Sequence, residues 1–194
     1  MLLPSPRTKG QMSVEEAINS RRSRREFRDK PLSLEEVAQL LWASQGIVPP
    51  RGMRTAPSAG ATFPLEVYAL TGNVAEISPG LYHYNPFKHS LEKLLGEDLR
   101  RRLASAALGQ MMISSAPLVL VIAADFARTA NRYGPRAVQY VNNEVGHVGQ
   151  NIYLQCEALG LGTCAVGAFR EKEVQALLKI DQVPLYIMPV GHVR

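Results

Sequence analysis

Residues Pro117–Ala124 form an unbroken apolar run rich in Val, Leu and Ile. A strand with one wet face alternates apolar and polar side chains, so a run without alternation reads as a strand buried on both faces. The chain around it supplies helices and further strands. Ser13 with Glu16 makes a capping-box pattern and predicts a helix over about 13–21. Ser33 with Glu36 repeats it, and Leu34, Val37, Leu40 and Leu41 carry helical periodicity to Gly46, a C-cap. Leu65–Leu70 reads as a strand, and Leu81–Tyr84 with Ser90–Leu95 as a hairpin turning at Asn85-Pro86. Helices are expected over 97–109, Arg136–Leu159 and Glu171–Leu178, a short apolar segment over Thr163–Val166, and a last strand over Leu185–Val190. Residues 1–10 read as a loose tail. Residues 47–63, rich in Pro, Gly, Ser and Thr, read as a long loop of the kind that carries function or disorder. The elements alternate irregularly, with a local hairpin and no repeat, which predicts one α+β domain over residues 1–194 rather than a regular parallel βαβ array.

A second feature limits the ligands. Arg21-Arg22-Ser23-Arg24-Arg25-Glu26-Phe27-Arg28 places five cations and one hydroxyl just after the first helix. Arginine presents a planar fork of donors suited to phosphate oxygens. The run could hold a phosphate, coat a nucleic acid or face water. A net charge of +5 favours anionic ligands without naming one. A basic, non-enzymatic nucleic-acid module is therefore one alternative, although no zinc-finger spacing or nucleic-acid motif accompanies the charge. The 194 residues, 46% hydrophobic, suffice for a sizeable core. The two cysteines, Cys156 and Cys164, cannot make a disulfide framework, and a reducing, cytoplasmic setting is the default. The four histidines lack metal-ligand spacing, so no metal is expected. No stretch reads as a signal core or a membrane span. There is no G-x-G-x-x-G opening a helix, no Walker sequence and no nucleophile elbow.

Four separated segments make a coherent set: Arg21–Phe27, Ala56-Pro57-Ser58-Ala59-Gly60-Ala61-Thr62, Ala107-Leu108-Gly109-Gln110, and Gly160-Leu161-Gly162-Thr163-Cys164-Ala165-Val166-Gly167-Ala168-Phe169. In this order they resemble the nitroreductase family of FMN-dependent oxidoreductases, from about residue 13 to the end. Tyr133-Gly134-Pro135-Arg136, Tyr140 and Glu144–Asn151 are similar to the branch that contains the azoline dehydrogenases of thiazole and oxazole peptide biosynthesis. The resemblance implies a central, mixed but mainly antiparallel sheet flanked by helices, in an intertwined homodimer with FMN at the subunit interface.

By the same resemblance, Arg21, Arg22, Ser23 and Arg25 hold the FMN phosphate and ribityl chain. Arg25 also reaches toward the pyrimidine edge, all the more because Ile113 stands where some relatives have a lysine. Pro57, Ser58, Ala59 and Gly60 are the segment laid against the flavin by the other subunit. Gln110 meets the ring through its amide. Ala165, Val166, Gly167 and Ala168 pass one face of the ring with main-chain N–H groups, and Gly167 replaces a glutamate found in some relatives. Arg194 is a phosphate ligand at the C-terminus. Tyr140, Glu144 and His147 share a helix face that lines the substrate side or packs internally. The activity implied is ping-pong hydride transfer from NAD(P)H through flavin N5 to a nitroaromatic, quinone or similar small acceptor, with no catalytic acid or base assigned. The alternative within the family is azoline oxidation with FMN as the immediate hydride acceptor.

Overall fold

The computed structural model describes residues 1–49 and 52–194; Pro50 and Arg51, which the sequence places in the long loop, lie outside the described residues. The main strands are β3 (Leu65–Thr71), β4 (Gly80–Asn85), β5 (Ser90–Leu95), β6 (Leu118–Ala124), β7 (Leu161–Thr163) and β8 (Val183–His192). They form one six-stranded sheet in the order β5-β4-β3-β6-β8-β7, with antiparallel neighbours throughout. Parallel pairing enters through isolated bridges, one of which, Ser23 with Thr163, lays the arginine run along β7.

The apolar run is β6, buried at all seven positions. Its side chains divide by the two-residue period of a strand. Leu118, Leu120 and Ile122 join one core cluster with Leu40 and Leu41 of α2 (Leu34–Gln45) and with Val141, Val145, Val148 and Ile152 of α6 (Ala137–Ala158). Val119, Val121 and Ala123 join the other with Leu103 of α3 (Arg100–Ala106) and with Val174 and Leu178 of α7 (Glu171–Leu178). Each such Val, Leu or Ile side chain contributes about 1.5–3 kcal/mol on burial, so both helical layers depend on this strand.

Both expected capping boxes form, at Ser13 of α1 (Val14–Ser20) and at Ser33 of α2. Gly46 ends α2, but with φ −62° rather than a left-handed turn. The glycine serves space there, because a Cβ would run into the Trp42 indole.

The structure differs from the sequence expectation in four places. Residues 1–10 contain a docked segment: Leu2 bridges Ser90, the Met1 ammonium donates to Leu91 O, and the Leu3 N–H donates to His89 O. The tail therefore covers the edge of β5. Second, the 97–109 helix shortens to α3 and ends in a turn where Leu108 (φ 59°) and Gly109 (φ 77°) are both left-handed; α4 (Met111–Ser115) follows. Third, α5 (Phe126–Tyr133) was not anticipated. Asp125 caps it by accepting from the Ala127 N–H, but its polar sequence hides the apolar stripe that announces a helix. Fourth, the long loop contains a ribbon of β1 (Ile47–Val48) and β2 (Met53–Arg54) and a 3-10 turn at Ala59–Ala61.

Candidate functional site

The arginine run lies where β7, the C-terminus and the end of α6 meet. The Arg24 N–H donates to Thr163 O at 2.8 Å, and the Arg28 N–H donates to His192 O at 2.8 Å. These bonds fix the backbone; Arg25 and Glu26 between them are exposed, while Phe27 is buried. Ser23, Arg24, Arg25 and Arg194 line one cavity of about 280 Å³ with Glu26 and Val193. Arg194 is held there by donating from Nε to Phe27 O, which leaves the two terminal nitrogens available. Arg24, which with Arg28 reads from the sequence as a solvent-facing charge, is exposed but lines this cavity; Gly162 makes room for its stem, since a Cβ there would stand 2.7 Å from Arg24 Cβ and from Val193 Cγ1. Arg21 and Arg22 point elsewhere. Arg22 donates to Asn19 O and Arg21 O and so caps its own helix, while the Arg21 guanidinium lies 5.1 Å from the centre of the Tyr153 ring.

Tyr153, which carried no sequence signal beyond its position just past the Glu144–Asn151 motif, ties the run to the second predicted segment. Its hydroxyl accepts from the Ala165 N–H at 2.8 Å and lies 2.9 Å from Ser23 Oγ. With one lone pair taken by Ala165, the phenol proton is free to go to Ser23, whose own proton can then point into the cavity. The Val166 N–H donates to Ile187 O. Gly167 and Ala168 are exposed, and among the described residues their N–H groups have no partner. Gln110 is brought to this turn: its Nε2 donates to Ala107 O at 2.9 Å and to Ala168 O at 3.0 Å. Both amide protons are thereby used, so Gln110 offers a ligand its Oε1 as an acceptor and nothing else.

The Pro57–Gly60 loop is held apart from these groups. Arg132 of α5 donates to Gly60 O, Thr62 and Thr129 share a hydroxyl bond of 2.9 Å, and the Phe63 N–H donates to Ser58 Oγ. Gly60 is left-handed (φ 57°), and a Cβ there would stand 2.5 Å from the Tyr133 hydroxyl. Beneath the loop, near the start of α6, Glu144 is 3% exposed. Burial pushes its carboxyl up to about 7, against the smaller opposing influences of Ser58, Arg54 and Gln45. Tyr153 lies nine residues further along the same helix, about 13 Å by helical rise. Within one chain the loop is held by α5, while the arginine run meets Tyr153 of α6. Of the predicted residues, Ser23, Arg25 and Arg194 share one cavity and Gln110 meets Ala168, with Tyr153 joining the two groups. Pro57, Ser58, Ala59 and Gly60 stand apart, and Arg21 and Arg22 flank the cavity.

The donor set suits a flavin mononucleotide. Arginines and a free hydroxyl proton match a phosphate, and exposed main-chain N–H groups with a lone acceptor match the edge of a ring. Among the described residues, no group of three His, Cys, Asp or Glu side chains is placed to hold a metal ion, and no helix is long and apolar enough to cross a membrane.

Residues 18–192 match the sequence model of the nitroreductase family. A nitroreductase homologue from Methanocaldococcus jannaschii is 47% identical over 93% of this chain and 91% of its own. The crystal structure of another nitroreductase homologue, from Ralstonia eutropha, superimposes with a TM-score of 0.86 at 30% identity, covering 99% of this chain and 88% of that one. The microcin B17-processing protein McbC of Escherichia coli is 27% identical over 87% of this chain and 65% of its own length.

Proposed function

The chain belongs to the nitroreductase family, and from that premise we propose that this oxidoreductase binds FMN at the interface of a homodimer, takes hydride from NAD(P)H and passes it to a small acceptor such as a nitroaromatic or a quinone. The observation that carries the reading is the continuity from the cavity of Ser23, Arg24, Arg25 and Arg194, through Tyr153, to the open turn at Gly167-Ala168. FMN, when bound, supplies reversible two-electron chemistry. The protein supplies placement. Arg24, Arg25 and Arg194 neutralise the phosphate, and Ser23 donates to it. Gln110 Oε1 accepts from a ring N–H, while the Gly167 and Ala168 N–H groups donate at the ring edge. Because no side chain at the turn is acidic or basic, protons come with the substrates or from water.

Two features support the proposed dimer. The Pro57–Gly60 loop is held by α5, apart from its own chain's cavity, and, as the family resemblance implies, it would lie against the flavin of a second copy. An apolar cavity of about 540 Å³, lined by Met12, Val14, Trp42, Val48 and Leu154 among others, opens between α1, α2 and α6. Met12, Val14 and Val48 are exposed in the single chain, and a second copy would cover them.

Anaerobic addition of NADH or NADPH to the FMN-loaded protein tests the direction. Bleaching of the yellow colour, followed by recovery with a quinone, is the expected result. The relationship to McbC supports a second reading, an azoline dehydrogenase that oxidises peptide thiazolines or oxazolines. α6 contains no lysine, and its Tyr140 hydroxyl already receives a bond from Arg136 Nε, so this chain has few candidates for the base such a reaction needs. Failure to bleach with either nicotinamide, together with reduction of the flavin by a thiazoline peptide, would move the assignment there.

A further inference from the structure

The groups proposed to hold the flavin leave a polar cavity without a role. It measures about 230 Å³ and is lined by Gln45 of α2, Arg54 of β2, Glu66 of β3, His83 of β4, Phe87 of the β4–β5 turn and Arg128 of α5, among others. It shares no lining residue with the arginine-run cavity. Most of its charges are matched. Glu66 meets His83 Nε2 at 2.8 Å and Arg128 Nη2 at 2.6 Å, and Arg128 Nε pairs with Asp125. Arg54 is the exception. Among the described residues it has no acidic partner. Its Nη1 donates to Gln45 O, but its Nε is buried and unpartnered. The Phe63 and Phe87 ring centres lie 5.2 and 4.9 Å from its guanidinium carbon. These rings attract the charge but leave the Nε proton without an acceptor. Gln45 is 2% exposed, and neither its Oε1 nor its Nε2 has a partner among the described residues. No hydrogen bond joins it to Glu144, whose Oε1 is also unpartnered. Buried polar groups are as a rule paired, so three open atoms on two residues of one cavity call for an occupant.

We propose that this cavity is a binding site for a small hydroxycarboxylate, whose carboxylate accepts from Arg54 Nε and Gln45 Nε2 and whose hydroxyl donates to Gln45 Oε1. The open atoms set the class. Two are donors and suit the paired oxygens of a carboxylate; the third is an acceptor and needs a donor on the same ligand. Charge agrees. Glu66 offsets Arg128, which leaves Arg54 as one cation to be met by one anion. A phosphate would bring a second charge against that single cation and set oxygen against Gln45 Oε1. A neutral alcohol would leave the arginine unmatched. The volume is several times the roughly 30 Å³ of one water and admits a molecule of a few carbons. Phe87, exposed although it lines the cavity, offers those carbons an apolar surface. Arg54 precedes the Pro57–Gly60 loop and Arg128 Nη1 donates to Phe63 O just past it, so the site adjoins the loop without including it. The proposal therefore stands apart from the flavin reading.

The test is isothermal titration calorimetry of the full chain with three probes of matched size: lactate, propionate, which lacks the hydroxyl, and propane-1,2-diol, which lacks the carboxylate. Lactate should bind saturably, propionate about fivefold more weakly and the diol at least about tenfold more weakly. Gln45→Glu keeps the side-chain shape but sets a carboxylate against the ligand, and it should abolish lactate binding. Arg54→Met should weaken it at least about tenfold. Arg194→Ala, in the other arginine cavity, should leave it unchanged. Thermal melts establish that each variant is folded, and the three-probe series in the wild type decides the matter even if Arg54→Met does not fold. Absence of saturable lactate binding would mean that water alone fills the cavity and would overturn the proposal. So would equal affinity for propionate or for the diol. Loss of lactate binding in Arg194→Ala, with none in Gln45→Glu, would overturn it by moving the carboxylate to the arginine run.

Discussion

Tyr153 and Glu144 each make a prediction, and neither could be assigned a role from sequence. Tyr153 holds Ser23 and the Ala165 N–H with one hydroxyl and carries Arg21 on its ring. Tyr153→Phe keeps the ring but leaves a main-chain donor unpaired, which costs about 1–3 kcal/mol. We expect FMN to bind about tenfold more weakly, as read by flavin fluorescence titration, while Tyr153→Leu loses the stacking as well and binds more weakly still. Equal affinity in wild type and Tyr153→Phe would disconnect the hydroxyl from the site. Glu144 makes a prediction about stability. Its folded-state pKa, about 7, is raised above its ordinary 4.5. The folded state therefore holds the proton more tightly, and the associated stability is fully present below pH 4.5 and disappears as pH rises through 7. The swing is on the order of 2–3 kcal/mol. Urea midpoints of the wild type should fall over that window, and Glu144→Gln should lack the fall and exceed the wild type at pH 8. Parallel pH profiles for the two proteins would contradict this. Sequence spacing put Glu144 on a helix face with Tyr140 and His147, but it could not say that Glu144 is buried while His147 is exposed, because that depends on where α2 and the loop pack.

Among the elements, legibility followed hydrophobic pattern. The apolar run became β6 and the capping boxes began α1 and α2, since those signals are local and strong. The α5 helix was invisible because its seven residues after Phe126 are mostly polar and its anchors are tertiary: Arg128 donates to Phe63 O and Arg132 to Gly60 O. The arginine run was legible as chemistry but not as geometry. Its course along β7 is set by an isolated parallel bridge and by the clearance over Gly162, neither of which has a sequence pattern. Gly162→Ala would place a methyl against the stems of Arg24 and Val193 and cost about 1–3 kcal/mol in overpacking. The variant should show a lowered Tm and weakened FMN binding together. A full loss of FMN affinity at unchanged Tm would place the clash at the ligand rather than at the Arg24 stem.

The whole molecule is a three-layer sheet protein in which the residues proposed for the flavin fall in two separate groups, the arginine run by Tyr153 and the loop held by α5, which the proposed dimer would bring together. Recognition of the family from four ordered motifs carried the fold; two of them, Arg21–Phe27 and Gly160–Phe169, meet along β7 of the sheet. It could not tell which arginines share a cavity. Arg22 turns back on its own helix, and Arg24, though exposed, lines the cavity with Arg25 and Arg194. The most direct test of the central claim is a titration of flavin-free protein with FMN and, in parallel, riboflavin, followed by gel filtration with detection at the flavin absorbance. The account predicts one FMN per chain on a dimer, with riboflavin bound at least about tenfold more weakly, since each charge-assisted contact to the phosphate contributes roughly 1.5–3 kcal/mol. Protein that elutes colourless after FMN is added, or that binds riboflavin as tightly as FMN, would contradict it.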